Sequence, residues 1–281
     1  VPRKRRVHRR EGDMVRLTRL AKVAAATVAV LALAGCYTAP TPEEIEALHV
    51  SSDAEPAITA DGGIVTFSPS EVEIETHLSY LATALEDSVD VYTEPNGEVQ
   101  QTIAAEDVLT VPESTPLTFL VETRATGWYE VHLPVRPNGT MGWVRASDVD
   151  ITTTNYWLEV SLTDYTLTGF LGTEQIFETT IAIGRSDRPT PGGVYYLREL
   201  LEVPDPDGIY GPYAYGLSGF QPVLDSFNGG DAVIGMHGTN EPERLGTDVS
   251  SGCIRMSNDA ITELATQVGL PLGTPVFVDE L

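Results

Sequence analysis

The sequence predicts a mainly β protein: a small barrel over residues 88–150, followed by a β-rich domain over residues 151–281 that ends in a short helix and a last strand. Three observations predict it. Apolar and polar residues alternate over short runs such as Trp128-Tyr129-Glu130-Val131-His132, the period of a strand with one buried face. Pro-Asn-Gly steps at 95–97 and 137–139 supply the backbone freedom that tight turns need. Beyond residue 88, a single stretch carries helix signals at both ends, with Ser257 as N-cap and Gly269 as the stop.

Taken in order, the chain opens on a segment that reads as an address. Val23 to Ala34 is a short apolar run preceded by Arg16, Arg19 and Lys22, and it closes on Leu33-Ala34-Gly35-Cys36. A positive region, a brief apolar run and small residues at the cut describe an export signal over residues 1–35. The run is too short for a comfortable membrane-spanning helix. Val1–Asp13 is basic and lies outside the usual signal layout, so Met14 is the expected initiator. The Leu-Ala-Gly-Cys ending resembles a bacterial lipobox. That resemblance implies cleavage before Cys36, diacylglycerol on its sulfur, and an exported lipoprotein anchored to a membrane and facing the cell wall.

Residues 36–87 read as an acidic linker. Thr38-Ala39-Pro40-Thr41-Pro42 is extended in character, and a short helix is expected near Pro42–Leu48. His49 and His77 are expected to be solvated there. From Ser88 the pattern changes to short strands at Asp90–Tyr92, Leu117–Val121, Trp128–His132 and Gly142–Val144. Gly127-Trp128-Tyr129 and Gly142-Trp143-Val144, followed by Ala146-Ser147-Asp148-Val149, resemble a bacterial SH3-type domain. Members of that family bind cell-wall peptide or pack beside a catalytic domain. His132 is expected to be a structural histidine of the barrel.

In residues 151–281, Leu158–Leu162 and Tyr165–Phe170 flank a turn, Gln175–Ile183 reads as a long strand, and Ser186–Gly193 is a loop. Val194–Leu197 resumes the sheet. Glu202–Gln221, rich in Gly, Pro and Tyr, reads as a lid or groove wall, or as packing under a long loop. Tyr213 and Tyr215 are its candidate substrate contacts. Ala232–Met236 is a buried type of strand ending at His237, and Pro275–Val278 is the last strand.

Charge narrows the partners. The formal net charge is −24, but residues 1–35 hold nine of the 17 basic residues and two acids. The remainder holds eight arginines, no lysine and 39 acids, about −31 net. Such a surface argues against nucleic acid, whose phosphates need a basic face, and against adsorption to anionic lipid. It is read either as composition bias with solubility or as adaptation to high salt, where screening removes self-repulsion. Two cysteines far apart, Cys36 and Cys253, give no disulfide framework. Asp205-Pro206-Asp207-Gly208 matches the start of a calcium loop but lacks the later oxygen ligands. No metal and no cofactor are expected.

From Thr153 onward there is one histidine, His237, and one cysteine, Cys253, each flanked by glycine. An imidazole that takes the thiol proton turns sulfur into a strong nucleophile. Thr190-Pro191-Gly192-Gly193, Tyr210-Gly211-Pro212-Tyr213-Ala214, His237-Gly238-Thr239 and Ser250-Ser251-Gly252-Cys253-Ile254-Arg255-Met256 together resemble the YkuD-type L,D-transpeptidase catalytic domain. One departure stands out: the family usually has histidine just before Gly-Cys, and here the residue is Ser251.

The resemblance implies a thiolate from Cys253, a base at His237 oriented by a backbone carbonyl at Gly238, and an oxyanion site of backbone N–H groups around Gly252 and Cys253. It implies a peptidoglycan tetrapeptide stem as donor, acyl-enzyme formation with loss of D-alanine, and transfer to an amine of another stem. Ser250 and Ser251 are expected to shape the loop. Arg255 is expected either to bind a substrate carboxylate or to hold the loop through an internal salt bridge. The alternatives are an L,D-carboxypeptidase, a transferase attaching protein to the wall, a cysteine protease, and a non-catalytic wall-binding lipoprotein.

Overall fold

The computed structural model describes residues 77–227 and 229–279. The export signal, Cys36, Met14, the short helix near Pro42–Leu48 and the linker up to residue 76 lie outside them.

The first sheet contains seven strands: β1 (Ser79–Ala84), β2 (Ser88–Tyr92), β3 (Val99–Ala104), β4 (Thr118–Ala125), β5 (Trp128–His132), β6 (Met141–Arg145) and β7 (Val149–Thr154). A single helical turn, α1 (Ala105–Val108), follows β3. The strands lie in the order β3-β2-β6-β5-β4-β1-β7, with antiparallel neighbours throughout. Alternation sets which side chains face inward: Val89, Val91, Phe119, Val131 and Val144 are buried together. One boundary differs from the sequence reading. β1 falls inside the stretch assigned to the linker, yet it pairs with both β4 and β7. Its Ser-Tyr-Leu-Ala-Thr-Ala pattern is short and weakly apolar, so only the two partners make it a strand. His132 is buried, and its Nε2 lies 3.0 Å from the Glu122 carboxylate, a structural contact.

The second sheet follows almost without a break. Its members are β8 (Tyr156–Ser161), β9 (Thr166–Leu171), β10 (Glu174–Thr180), β12 (Gly193–Glu202), β13 (Tyr213–Phe220), β16 (Val233–His237), β18 (Ile254–Arg255) and β19 (Pro275–Val278). Two small ladders accompany it: β11 (Ile183–Gly184) with β17 (Asp248–Ser250), and β14 (Ser226–Phe227) with β15 (Gly230–Asp231). The strand order is β10-β9-β8-β19-β12-β13-β16-β18. The pairs β19–β8 and β16–β18 are parallel. Ser257 Oγ accepts the Ala260 amide at 3.1 Å and opens α2 (Asn258–Glu263). The helix widens to a π turn over Leu264–Val268 and stops at Gly269, whose φ of 65° suits glycine.

Two differences from the sequence reading come from pairing. The long strand expected over Gln175–Ile183 stops at Thr180 and resumes as β11 on another partner. The aromatic stretch expected to be a loop ends in a central strand, β13, over Tyr213–Phe220. Its neighbours β12 and β16 supply the pairing that local composition does not reveal.

β12 joins the two halves because it buries both faces. Tyr195 and Leu197 enter the core of the second sheet with Leu158, Leu217 and Met236. Tyr196, on the opposite face, sits in the core of the first sheet. Burying such a side chain is worth about 1.5–3 kcal/mol. The next residues form a buried ion pair, Arg198 Nη2 to Glu199 Oε1 at 2.7 Å. Glu199 also accepts the Thr110 amide at 2.7 Å and its hydroxyl at 3.1 Å, from the segment following α1.

Candidate active site

The parallel pair β16–β18 brings the two reactive residues together. Met236 pairs with Ile254 and His237 with Arg255. Cys253, the residue before β18, therefore arrives beside Gly235. A methyl group placed on Gly235 would lie 3.7 Å from His237 Cδ2 and 3.9 Å from Cys253 Sγ. Both groups border the same small space, which a larger residue at 235 would occupy.

The loop carrying the thiol is held from inside. Ser250 Oγ donates to the Cys253 carbonyl at 2.6 Å and accepts the Gly252 amide at 3.1 Å. Thr190 Oγ1 donates to the Gly252 carbonyl at 2.9 Å and accepts the Gly184 amide at 2.9 Å. Gly252 has φ of 116°, and a Cβ there would lie 2.8 Å from Gln221 Cγ and 3.0 Å from Ile234 Cδ1. Only glycine meets both demands.

His237 is buried, and its Nδ1–H donates to the Gly238 carbonyl at 2.6 Å. That bond fixes the tautomer and leaves the Nε2 lone pair free to take a proton. Burial pushes the imidazole pKa down to about 4, against the Gly238 bond, with the Arg255 charge adding to the lowering. Burial also pushes the Cys253 thiol up, opposed by a backbone hydrogen bond from Gly235 and by the Arg255 charge. Both shifts favour the uncharged forms, a neutral thiol beside a neutral imidazole.

The Tyr210-Gly211-Pro212 segment braces the histidine. Gly211, with φ of 64°, lies so close to Gly238 that a Cβ would fall 2.7 Å from Gly238 Cα. Asn258 Oδ1 accepts the Thr239 amide at 2.8 Å. The Tyr210 ring consequently meets the imidazole edge-on, with centroids 4.9 Å apart.

Two clefts open on the pair. One is lined by Ile209, Gln221, Leu224, Ser250, Ser251 and Arg255; the other by Asp107, Thr110, Leu201, Ala214, Gly216 and Asp231. Tyr210, Phe227, Val233, His237 and Cys253 belong to both.

Residues 155–278 match the family model of the YkuD L,D-transpeptidase catalytic domain. A Bacillus subtilis chain named as an L,D-transpeptidase, YkuD, is 35% identical over 124 residues, which is 44% of this chain and 66% of that one. A Bacillus licheniformis chain of the same name is 34% identical over 44% of this chain and 65% of its own length. Residues 155–278 form a YkuD domain. Among solved structures, the catalytic domain of an Enterococcus faecium L,D-transpeptidase is 24% identical over 44% of this chain and 96% of its own, with a TM-score of 0.32.

Within the YkuD domain, several residues singled out from the sequence take specific places. Ser250 is buried and structural. Ser251 lines the first cleft, and its hydroxyl accepts Arg188 Nη1 at 3.4 Å. Gly238 serves the histidine through its carbonyl. The Gly252 amide is committed to Ser250, so of the two amides expected at the oxyanion site it is not the available one. Arg255 pairs with Glu241 at 3.3 Å, while its buried Nε has no partner among the described residues.

Tyr215 borders the second cleft, but its side chain is wholly buried and its hydroxyl donates to the Leu264 carbonyl at 3.3 Å, so the ring is fixed in the core. Burial raises its pKa to about 12. Tyr213 is half-buried against the same core. The aromatics that do border the reactive pair are Tyr210 and Phe227. Tyr210 was visible as part of a motif, whereas Phe227 and Gln221 carried no signal of their own. Among the described residues no cluster of His, Cys, Asp or Glu is placed to hold a metal ion.

Proposed function

We propose that this protein is a peptidoglycan L,D-transpeptidase. The observation that carries the reading is the YkuD domain's buried His237, locked by Gly238, sharing the space at Gly235 with the thiol of Cys253. In the first step His237 Nε2 takes the thiol proton as sulfur bonds to the carbonyl carbon of the donor stem's third residue. The backbone N–H of Cys253 stabilises the oxyanion. The C–N bond to the terminal D-alanine breaks, and the imidazolium protonates the departing amine. In the second step His237 deprotonates an acceptor amine, which bonds to the thioester carbon. The C–S bond breaks and sulfur recovers the proton. Two clefts reaching the same sulfur favour transfer between two chains over hydrolysis, since each substrate has its own approach.

The remaining parts fit that role as further elements of the proposal. An SH3-type module over the first sheet, a lipid on Cys36 and an acidic spacer would hold the enzyme at a membrane facing the wall. The test is intact mass after incubation with a purified tetrapeptide stem. Wild type gains the acyl tripeptide mass on Cys253 and releases D-alanine; the Cys253→Ala variant does neither. A variant as active as wild type would refute the mechanism.

A further inference from the structure

The first sheet reaches into the wall of the cleft, and the contact runs through one short loop. Residues 133–140, between β5 and β6, touch the exit of β13. Asn138 acts as a strand partner there: its Nδ2 donates to the Phe220 carbonyl at 2.7 Å and its Oδ1 accepts the Phe220 amide at 2.8 Å. Arg136 Nη1 donates to the Gln221 carbonyl at 2.9 Å, and Nη2 to the Leu224 carbonyl at 2.8 Å. Its guanidinium lies 4.9 Å from the centroid of the Phe220 ring.

The segment so gripped borders the nucleophile. Gln221 is buried. Its Oε1 accepts the Val223 amide and, at 2.9 Å, the Leu224 amide. Its Nε2 donates to the Pro189 carbonyl at 3.2 Å, next to the Thr190 that holds Gly252. Its Cγ lies 2.8 Å from where a Cβ on Gly252 would be. Gln221 and Leu224 both line the first cleft with Cys253. Val223 between them is 61% exposed, so little apolar packing holds this bend. Its shape depends on the Gln221 amide from inside and the Arg136 fork from outside.

We propose that Arg136 is a positioning residue for the substrate cleft, which makes the first sheet part of the catalytic apparatus rather than a separable module. The inference rests on the transpeptidase reading for its substrate, and on geometry alone for the effect on the Gln221–Leu224 bend. Arg136 touches neither the thiol nor the imidazole, so it sets where the stem peptide lies and not the reactivity of sulfur. A lysine can reach one carbonyl but cannot reproduce the fork.

The experiment compares the full chain with its Arg136→Ala and Arg136→Lys variants in three readouts: acylation by a tetrapeptide stem, alkylation of Cys253 by iodoacetamide, and hydrogen exchange of the Val223 and Leu224 amides. Expected for Arg136→Ala is a roughly tenfold loss of kcat/KM, carried by KM, as suits lost charge-assisted hydrogen bonds. Exchange at the two amides quickens, alkylation keeps its wild-type rate, and lysine restores part of the KM. Wild-type KM with wild-type exchange overturns the proposal. So does a parallel fall in acylation and alkylation, which would mean general loosening of the fold. If wild type itself is not acylated by the stem, the transpeptidase reading fails, and the exchange of Val223 and Leu224 still decides whether Arg136 holds the bend.

Discussion

Lowering the pH should unmask the buried imidazole as a measurable loss of stability. His237 moves from an ordinary value of 6.5 to about 4 in the folded protein, because burial penalises its charged form. The unfolded chain therefore binds a proton in that interval that the native state does not. The stabilisation from the neutral ring is fully present above the unfolded value. It declines as pH falls from about 6.5 toward about 4, and below that it is gone. At about 1.36 kcal/mol per unit, the whole effect is about 3 kcal/mol. The assay is urea unfolding of wild type and His237→Gln across that range. Carboxylates contribute to both proteins, so the difference between the two curves isolates the histidine. Wild type should lose about 3 kcal/mol more than the variant. Equal pH dependence would refute the claim that the resting imidazole is buried and neutral. Alkylation of Cys253 should agree: since burial also raises the thiol, its rate should climb steadily above neutral pH, with no thiolate plateau on the acid side.

Three further outcomes follow from single contacts. Gly252→Ala should cost about 2–4 kcal/mol in urea unfolding, from the positive φ and the contacts with Gln221 and Ile234, and should abolish acyl-enzyme formation in intact mass. Tyr215→Phe should lose about 1 kcal/mol, one hydrogen bond to Leu264, and leave KM for the stem peptide unchanged; a large KM effect would restore Tyr215 as a substrate contact. Glu199→Ala should cost about 3–5 kcal/mol by stranding buried Arg198, and chemical denaturation should detect it.

Local pattern and tertiary pairing contributed differently to this protein. Trp128–His132 and Pro275–Val278 were legible as strands to the residue, because alternation or a bounded β-branched run leaves few other solutions. The Ser257 cap and the Gly269 stop likewise encode a helix within a few positions. His237 and Cys253 were legible as a candidate reactive pair from their residue types and glycine-rich flanks, and at Gly252 the glycine proved to be a steric necessity. What local sequence could not carry was pairing at a distance. Ser79–Ala84 became a strand only between β4 and β7, and the aromatic stretch containing Tyr215 became a central strand only between β12 and β16. That placement sent the Tyr215 side chain into the core, where its hydroxyl meets the Leu264 carbonyl. The grip of Arg136 on Gln221 and Leu224 spans more than eighty positions of chain. The sequence thus carried the candidate site residues and most of the elements, since these depend on near neighbours. The three-dimensional fold decided which side chains face the substrate, since that depends on which distant strand each one packs against.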